Sequence, residues 1–378
     1  MADKTQRFAD VVSRRTFIAT TGVAGATAVA GCMGGSGGES TDEPDGADDG
    51  ESTTTQGGND DGESTESGAL TSGGSSTVYP IMNTAASYWN ANRPADDTEY
   101  WPHGEYGIDT DQNLADYWGG LYGFEASEGG DPPFQFTVGL SHSGTGVEKV
   151  MKGQHDLGNS SGRVEDELPD RDSYDDFVDH VVGVDGQPLV VSEEIAEAGV
   201  SKITGDELKG LYKGRITNWS ELGGPDKEIQ VLGRVKGSGT RTSFVANVFG
   251  NPEEDTQVAN RFGQNQRLAQ AIAQADNAIS YLALAFIDTD GVAPIALEWE
   301  GTTYAYQDDQ NGLDSTAYPL SRDLHAYTWQ GTSEKEAAVL RMVLSDFGQD
   351  TFVKPNNYFA LGKRRQEEQL AKLPEPSN

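Results

Sequence analysis

The stretch Gly73-Gly74-Ser75-Ser76-Thr77-Val78-Tyr79-Pro80 places glycines and hydroxyl side chains directly before a predicted helix. Similar chemistry recurs in Ser141–Val147, Gly158–Arg163 and Arg234–Arg241. Glycine lets backbone N–H groups approach a ligand closely, and a helix N-terminus leaves free N–H donors with a partial positive charge. One such loop is an ordinary helix cap. Four in one chain, two of them with arginine, predict a compact cage for an oxyanion.

Strands alternate with helices around these loops. Apolar runs predict strands at Phe134–Val138, His180–Val184 and Ile229–Leu232. Helical periodicity predicts helices at Arg261–Ala275 and Glu334–Phe347. This alternation indicates an α/β fold with parallel sheets. Residues 91–133 follow neither period and are rich in Tyr, Trp, Asp and Gly, so we expect an ordered insertion packed through its aromatic rings.

The charge of the chain restricts its partners. The 378 residues carry 61 acidic and 27 basic side chains, a formal net charge of −34. This charge argues against nucleic acid as a partner, because phosphate-backbone binding requires an excess of Lys and Arg. Residues 33–69 hold 11 acidic and no basic residues, which leaves the segment from residue 70 onward strongly acidic. Because concentrated salt screens such self-repulsion, we expect a halophilic protein in a very saline setting.

The first 32 residues predict an export address. Ser13-Arg14-Arg15-Thr16-Phe17-Ile18 has the twin-arginine pattern, and an apolar run to Ala30 is too short for a confident membrane span. Val29-Ala30-Gly31-Cys32 resembles a lipobox, so residues 1–31 are expected to be a signal and Cys32 the lipidated residue. As the one cysteine of the chain, Cys32 also excludes an intramolecular disulfide framework. Residues 32–69 are predicted to be a disordered acidic tether.

The loops, taken in order, resemble those of the PstS-type phosphate-binding proteins that serve phosphate-uptake ABC transporters. Leu211-Tyr212-Lys213-Gly214-Arg215-Ile216-Thr217-Asn218-Trp219 and Tyr318-Pro319-Leu320-Ser321-Arg322 strengthen the resemblance. It implies a type II two-domain clamp with two crossover hinge strands. It further implies domain I at 70–184 and 318–378, with the insertion inside it, and domain II at 185–317.

The resemblance also implies a set of phosphate-binding residues: Ser76, Thr77, Val78, Ser143, Ser161, Arg163, Arg234, Ser238, Gly239 and Thr240. The third loop departs from the pattern of some members, which place an Asp there to accept hydrogen from protonated phosphate. Without that acceptor, the preference for phosphate over sulfate is open, because an all-donor pocket does not reject a fully deprotonated anion.

The implied function is capture of inorganic phosphate outside the cell membrane by a lipid-anchored monomer, followed by delivery to an ABC permease. No catalysis, cofactor or metal is expected. Two alternatives stay open. One is binding of another oxyanion such as sulfate. The other is a secreted esterase or phosphatase, because Gly158-Asn159-Ser160-Ser161-Gly162 matches the nucleophile-elbow pattern with Ser160 as nucleophile and His325 as its base.

Overall fold

The protein's structure, a computed structural model, describes residues 68–377, without the side chain of Glu128. The predicted signal, Cys32 and the predicted tether up to residue 67 lie outside the described residues. No helix within residues 68–377 has the length and apolar character needed to cross a bilayer.

Strands and helices alternate along most of the described chain. The strands are β1 Leu70–Ser75, β2 Phe136–Ser141, β3 Leu157–Ser160, β4 Phe177–Gly186, β5 Leu189–Ser192, β6 Lys202–Thr204, β7 Gln230–Arg234, β8 Asn260–Phe262, β9 Ala278–Tyr281, β10 Val292–Trp299, β11 Thr302–Tyr304 and β12 Ser321–Trp329. The helices are α1 Tyr79–Ala91, α2 Leu114–Gly120, α3 Ser143–Met151, α4 Val164–Glu167, α5 Glu193–Glu197, α6 Gly205–Tyr212, α7 Gly239–Phe249, α8 Asn265–Gln274, α9 Glu334–Leu344, α10 Asp346–Gly348 and α11 Lys363–Leu370. Short 3₁₀ segments lie at His103–Tyr106, Glu128–Gly130, Trp219–Leu222, Leu284–Phe286 and Lys354–Asn356, and a π-helical turn at Gln349–Val353.

The first sheet has the order β2-β1-β3-β12-β4. Strand β1 runs parallel to both β2 and β3, with Ser75 opposite Ser141 and Gly74 opposite Asn159. The carboxyl ends of these three strands therefore meet at one edge of the sheet, where ligands of open α/β sheets bind. Three of the four hydroxyl-rich loops leave the first sheet from that edge.

The second sheet has the order β11-β10-β5-β9-β7-β8, with β6 paired to β10. Strand β7 is parallel to β8 and β9, and it ends at Arg234, the start of the fourth loop. Strands β5 and β12 pair antiparallel with their neighbours. The expectation of parallel sheets is therefore incomplete: both sheets are mixed.

The chain passes between the two sheets twice. Strand β4 of the first sheet is followed after two residues by β5 of the second, and the return runs from β11 to β12. We call the part built on the first sheet the first lobe and the part built on the second sheet the second lobe. Domain boundaries at residues 184 and 317 stay a prediction.

One predicted helix starts later than expected. Arg261 and Phe262 belong to β8, because their backbones pair with Gly233 and Arg234 of β7, and α8 begins at Asn265. The helical periodicity predicts the helix correctly from Asn265 onward, but strand pairing with β7 places Arg261 and Phe262 in β8.

The insertion at residues 91–133 is ordered and packs through aromatic rings. Trp101 is fully buried and meets Phe347 edge-on, with ring centroids 4.9 Å apart. At the end of the insertion, Phe134 packs on Trp89 of α1 at 4.8 Å, and the Trp89 indole N–H donates to the Phe134 carbonyl. These contacts seat the insertion against the first lobe.

Candidate anion-binding site

Three helix N-termini face one buried cluster of hydroxyl groups. Helices α1, α3 and α7 begin beside Thr77, Ser143 and Thr240, whose side chains are at most 1% exposed. Within residues 68–377, no N-cap side chain accepts a hydrogen bond at the start of any of these three helices. Free N–H donors and three positive dipole ends therefore point towards the cluster, which favours a negatively charged ligand.

Hydroxyls of the first lobe form a connected chain. The Ser75 hydroxyl donates to Ser161 Oγ at 2.9 Å, and the Ser161 backbone N–H donates to Ser143 Oγ at 3.1 Å. The Ser143 and Ser161 oxygens lie 3.4 Å apart. The structure thus brings together residues from three separate loops that the sequence assigned to one site.

The two lobes meet at this cluster. Thr77 Oγ1 of the first lobe lies 3.0 Å from Thr240 Oγ1 of the second. Gly239 approaches so closely that an added Cβ would collide with Ser143 Oγ and lie 2.7 Å from the Gly162 nitrogen. The neighbouring Ser238 Oγ is buried and has no hydrogen-bond partner within residues 68–377. A buried hydroxyl without a partner is costly in a protein interior, so it marks a position where a ligand could accept a hydrogen bond.

Arg234 supplies a buried positive charge. Its side chain is 1% exposed. Two of its contacts are with backbone carbonyls: Nε donates to Phe262 at 3.1 Å and Nη2 to Gly263 at 2.7 Å. Two are with hydroxyls of the cluster: Nη2 donates to Ser76 Oγ at 3.2 Å and Nη1 to Thr240 Oγ1 at 3.1 Å. Burial lowers the pKa of Arg234 to about 10, and the charge of Arg322 contributes. The guanidinium stays protonated at neutral pH, yet it forms no ion pair with any carboxylate of the described chain.

Arg163, one of the predicted site residues, lies outside the cluster. Its side chain is 70% exposed and forms an ion pair with Glu165 at 3.5 Å. The residue directly precedes α4, where its backbone is extended. Val78, by contrast, is fully buried at the start of α1. The remaining predicted site residues are also buried.

The cluster contains a second arginine that the sequence did not assign to the site. Arg322, at the start of β12, is 7% exposed and its Nη2 lies 3.3 Å from both Thr77 Oγ1 and Thr240 Oγ1. Tyr318–Arg322 contributed to the family resemblance, but nothing local signals that this arginine turns into the cluster. Asn265, the first residue of α8, was also missed, and its amide donates to Ser76 Oγ at 3.2 Å and Thr77 Oγ1 at 3.1 Å.

A carboxyl group lies beside the cluster. Both oxygens of Glu167 are buried without a hydrogen-bond partner of normal geometry within residues 68–377, and an added Cβ on Gly162 would collide with one of them. Burial raises the pKa of Glu167 to about 8, although the nearby Thr242 hydroxyl and the charge of Arg322 oppose the shift. Glu167 is therefore predominantly protonated at neutral pH.

The nucleophile-elbow arrangement is not assembled. The Ser160 hydroxyl donates to the Gly162 carbonyl at 2.6 Å. His325 lies opposite Ser160 in the β3–β12 pairing, but its Nδ1 pairs with Asp179 Oδ1 at 2.7 Å, and no hydrogen bond joins the side chains of His325 and Ser160 in the described chain. Residues 68–377 also hold no group of three or more His, Cys, Asp or Glu side chains placed to bind a metal ion.

Two lobes linked by two crossings, with hydrogen-bond donors from both lobes converging on one buried cluster, define a two-lobed clamp with a candidate anion site. The family model described as the PBP superfamily domain matches residues 122–346. The chain belongs to this superfamily, and its fold is the type II clamp.

Curated relatives are phosphate-binding proteins. The chain is 30% identical over 200 residues to the phosphate-binding protein PstS of Bacillus subtilis. The aligned stretch covers 52% of this chain and 62% of the relative. The chain is 24% identical over 247 residues to PstS of Staphylococcus saprophyticus, covering 62% and 74%. The aligned stretch thus spans less than two thirds of the Bacillus protein.

Solved structures share the fold. One is a putative phosphate ABC transporter substrate-binding protein with bound phosphate from Clostridium perfringens, at a TM-score of 0.58 and 22% identity, covering 78% of this chain and 100% of that one. Another is an ABC-type phosphate transport receptor from Vibrio cholerae, at a TM-score of 0.51 and 20% identity, covering 77% and 100%.

Proposed function

We propose that this protein captures inorganic phosphate in the cleft between its lobes and delivers it to an ABC permease. It is a binding protein on this proposal, and no bond of the ligand is made or broken. The names of its Bacillus and Staphylococcus relatives support phosphate as the solute.

One observation carries the proposal: Arg234 is a buried cation without a carboxylate partner in the described chain. A buried charge is costly unless a counter-charge compensates it. The surrounding groups are hydroxyl donors and helix N-termini, so an anion with several oxygens satisfies both the charge and the donors.

Closing of the lobes would drive capture. Thr77 lies in the first lobe and Thr240 in the second, and their hydroxyls meet only when the lobes are together. An anion that contacts both lobes binds the closed form better than the open form, so binding shifts the population towards closure. The permease would then distinguish loaded from unloaded protein by shape.

The field of the acidic surface opposes an anionic ligand at long range. Binding of phosphate at the proposed site therefore depends on short-range hydrogen-bond donors and on the buried arginine charge. Saline surroundings would screen the field of the acidic surface. Sulfate is the second candidate ligand, because the proposed residues Ser76, Thr77, Ser143, Ser238 and Thr240 can all act as donors.

The location follows from the predicted N-terminal signal. We propose export by the twin-arginine route, lipidation of Cys32 and an acidic linker of residues 32–69, which leave a monomeric clamp at the outer face of the membrane. Such an arrangement keeps the clamp near a permease.

Isothermal titration calorimetry of the full chain with phosphate, arsenate and sulfate in molar potassium chloride tests the proposal. We expect tight one-to-one binding of phosphate that leaves the ligand chemically unchanged. Absence of phosphate binding, or turnover of a phosphate ester, would refute it. Stronger binding of sulfate than of phosphate would replace phosphate by sulfate as the solute.

A further inference from the structure

One N–H group of Arg322 has no close partner within residues 68–377 and faces the proposed anion site. A guanidinium has five N–H groups in a fixed plane. Four of them have normal partners: Asp185 Oδ2 at 2.9 Å from Nε and 2.6 Å from Nη2, the Ser161 carbonyl at 3.0 Å from Nη1, and Ser243 Oγ at 2.9 Å from Nη1. The fifth, on Nη2, has only the two long 3.3 Å contacts to Thr77 and Thr240.

Asp185 determines which way the guanidinium turns. Its carboxylate is fully buried, and one oxygen accepts from both Nε and Nη2 of Arg322. The other oxygen accepts from the Leu284 backbone N–H of the second lobe at 2.9 Å. Because the carboxylate of Asp185 is held from both sides, it fixes the plane of the guanidinium. The remaining N–H of Arg322 then points to the hydroxyl groups of Thr77 and Thr240.

We propose that Arg322 is a second anion-binding residue of this clamp and that Asp185 is the residue that positions it. This inference rests on the proposed function. Arg322 contributes a directed donor, and Asp185 compensates its charge; of the two arginines in the cluster, only Arg234 has no carboxylate partner within residues 68–377. The contact of Arg322 with Ser243 of α7 also joins the two lobes, so closure of the clamp completes the contacts around the guanidinium.

The principal experiment removes both charges of the pair together. In the double variant Arg322→Met with Asp185→Asn, no carboxylate is left buried without a partner, which limits the cost to folding. We expect phosphate affinity, measured by calorimetry on the full chain, to fall by roughly 30-fold or more, as for loss of a donor to a charged ligand. If the ion pair were only structural, the double variant would bind phosphate within about threefold of the unaltered chain, and the inference would be wrong.

Arg241 offers a matched control. It is 3% exposed in α7, and its guanidinium donates to the carbonyls of Pro252 and Glu254 rather than to the cluster. Arg241→Met should lower the melting temperature but keep phosphate affinity within about threefold. An equal loss of affinity in this variant would show that the effect of Arg322 is not specific, and would overturn the inference.

The role of Asp185 is tested separately by coupling. Asp185→Asn should weaken phosphate binding by about threefold to tenfold in the unaltered chain, and by less than about twofold in the Arg322→Lys variant, because a lysine side chain cannot form the same planar, two-donor contact. Equal effects in the two backgrounds would refute positioning. If the unaltered chain bound no phosphate, arsenate or sulfate, the proposed function itself would fail, and the inference with it.

Discussion

Replacement of Glu167 by glutamine should remove a large part of the pH dependence of stability. The pKa of Glu167 rises from 4.5 to about 8 on folding, mainly through burial. Since each tenfold change in proton affinity corresponds to about 1.4 kcal/mol, the ionised carboxylate costs the native state about 5 kcal/mol.

The sign follows from proton linkage. A carboxyl group whose pKa is raised on folding binds more protons in the native than in the unfolded protein, so stability falls as pH rises. The contribution of Glu167 is fully present below its unfolded pKa of 4.5 and is lost as pH rises to about 8. Between about pH 5.5 and pH 8.5 the expected loss is about 3 kcal/mol.

Urea unfolding followed by tryptophan fluorescence, at fixed molar salt, measures this loss. If glutamine behaves like the protonated carboxyl group, Glu167→Gln should be more stable than the unaltered chain by only about 1 kcal/mol near pH 5, but by about 4 to 5 kcal/mol at about pH 8.5. Glu165→Gln, on the exposed side of the same short helix, is the control and should follow the unaltered chain. Parallel curves for the unaltered chain and Glu167→Gln, within about 0.5 kcal/mol, would refute the reasoning.

Further predictions concern the ligand, the hydrolase alternative and the anchor. Arg234→Met should weaken phosphate binding by roughly 100-fold, the cost of removing a buried charged donor, and calorimetry should detect less than about threefold change for the exposed Arg163→Met; a comparable loss in both would show the site to be misplaced. Ser160→Ala should keep phosphate binding, and loss of an esterase or phosphatase activity on this change would instead establish the enzyme. Cys32→Ser should move the protein from the membrane fraction to the soluble fraction, as judged by immunoblotting, and retention on the membrane would exclude the lipid anchor.

Much of the fold could be predicted from the sequence because its signals are local. Apolar runs and glycine-hydroxyl loops are read within about ten residues, and they placed the strands β2, β4 and β7 and the loops that precede α1, α3 and α7. The type II clamp was inferred from the order of these loops and is confirmed by the two sheets and the superfamily match.

Errors arose where the outcome depends on distant residues. Arg261 has a helical pattern, yet its backbone pairs with Gly233 in a strand. Arg163 follows the third hydroxyl-rich loop, yet its long side chain turns into solvent. A sequence pattern fixes where an arginine is attached, but the direction of a flexible side chain depends on which carboxylate or carbonyl folding brings near it.

By itself, the sequence determined a formal net charge of −34 and predicted an α/β chain, an N-terminal export signal and hydroxyl-rich helix starts suited to an oxyanion. Tertiary structure alone decided that Arg322 joins Thr77 although 245 residues separate them in the chain. It also decided that the carboxyl group of Glu167 is buried and protonated. The physical reason is that helix starts and hydroxyl donors are local properties, whereas burial and charge compensation depend on which lobes pack together.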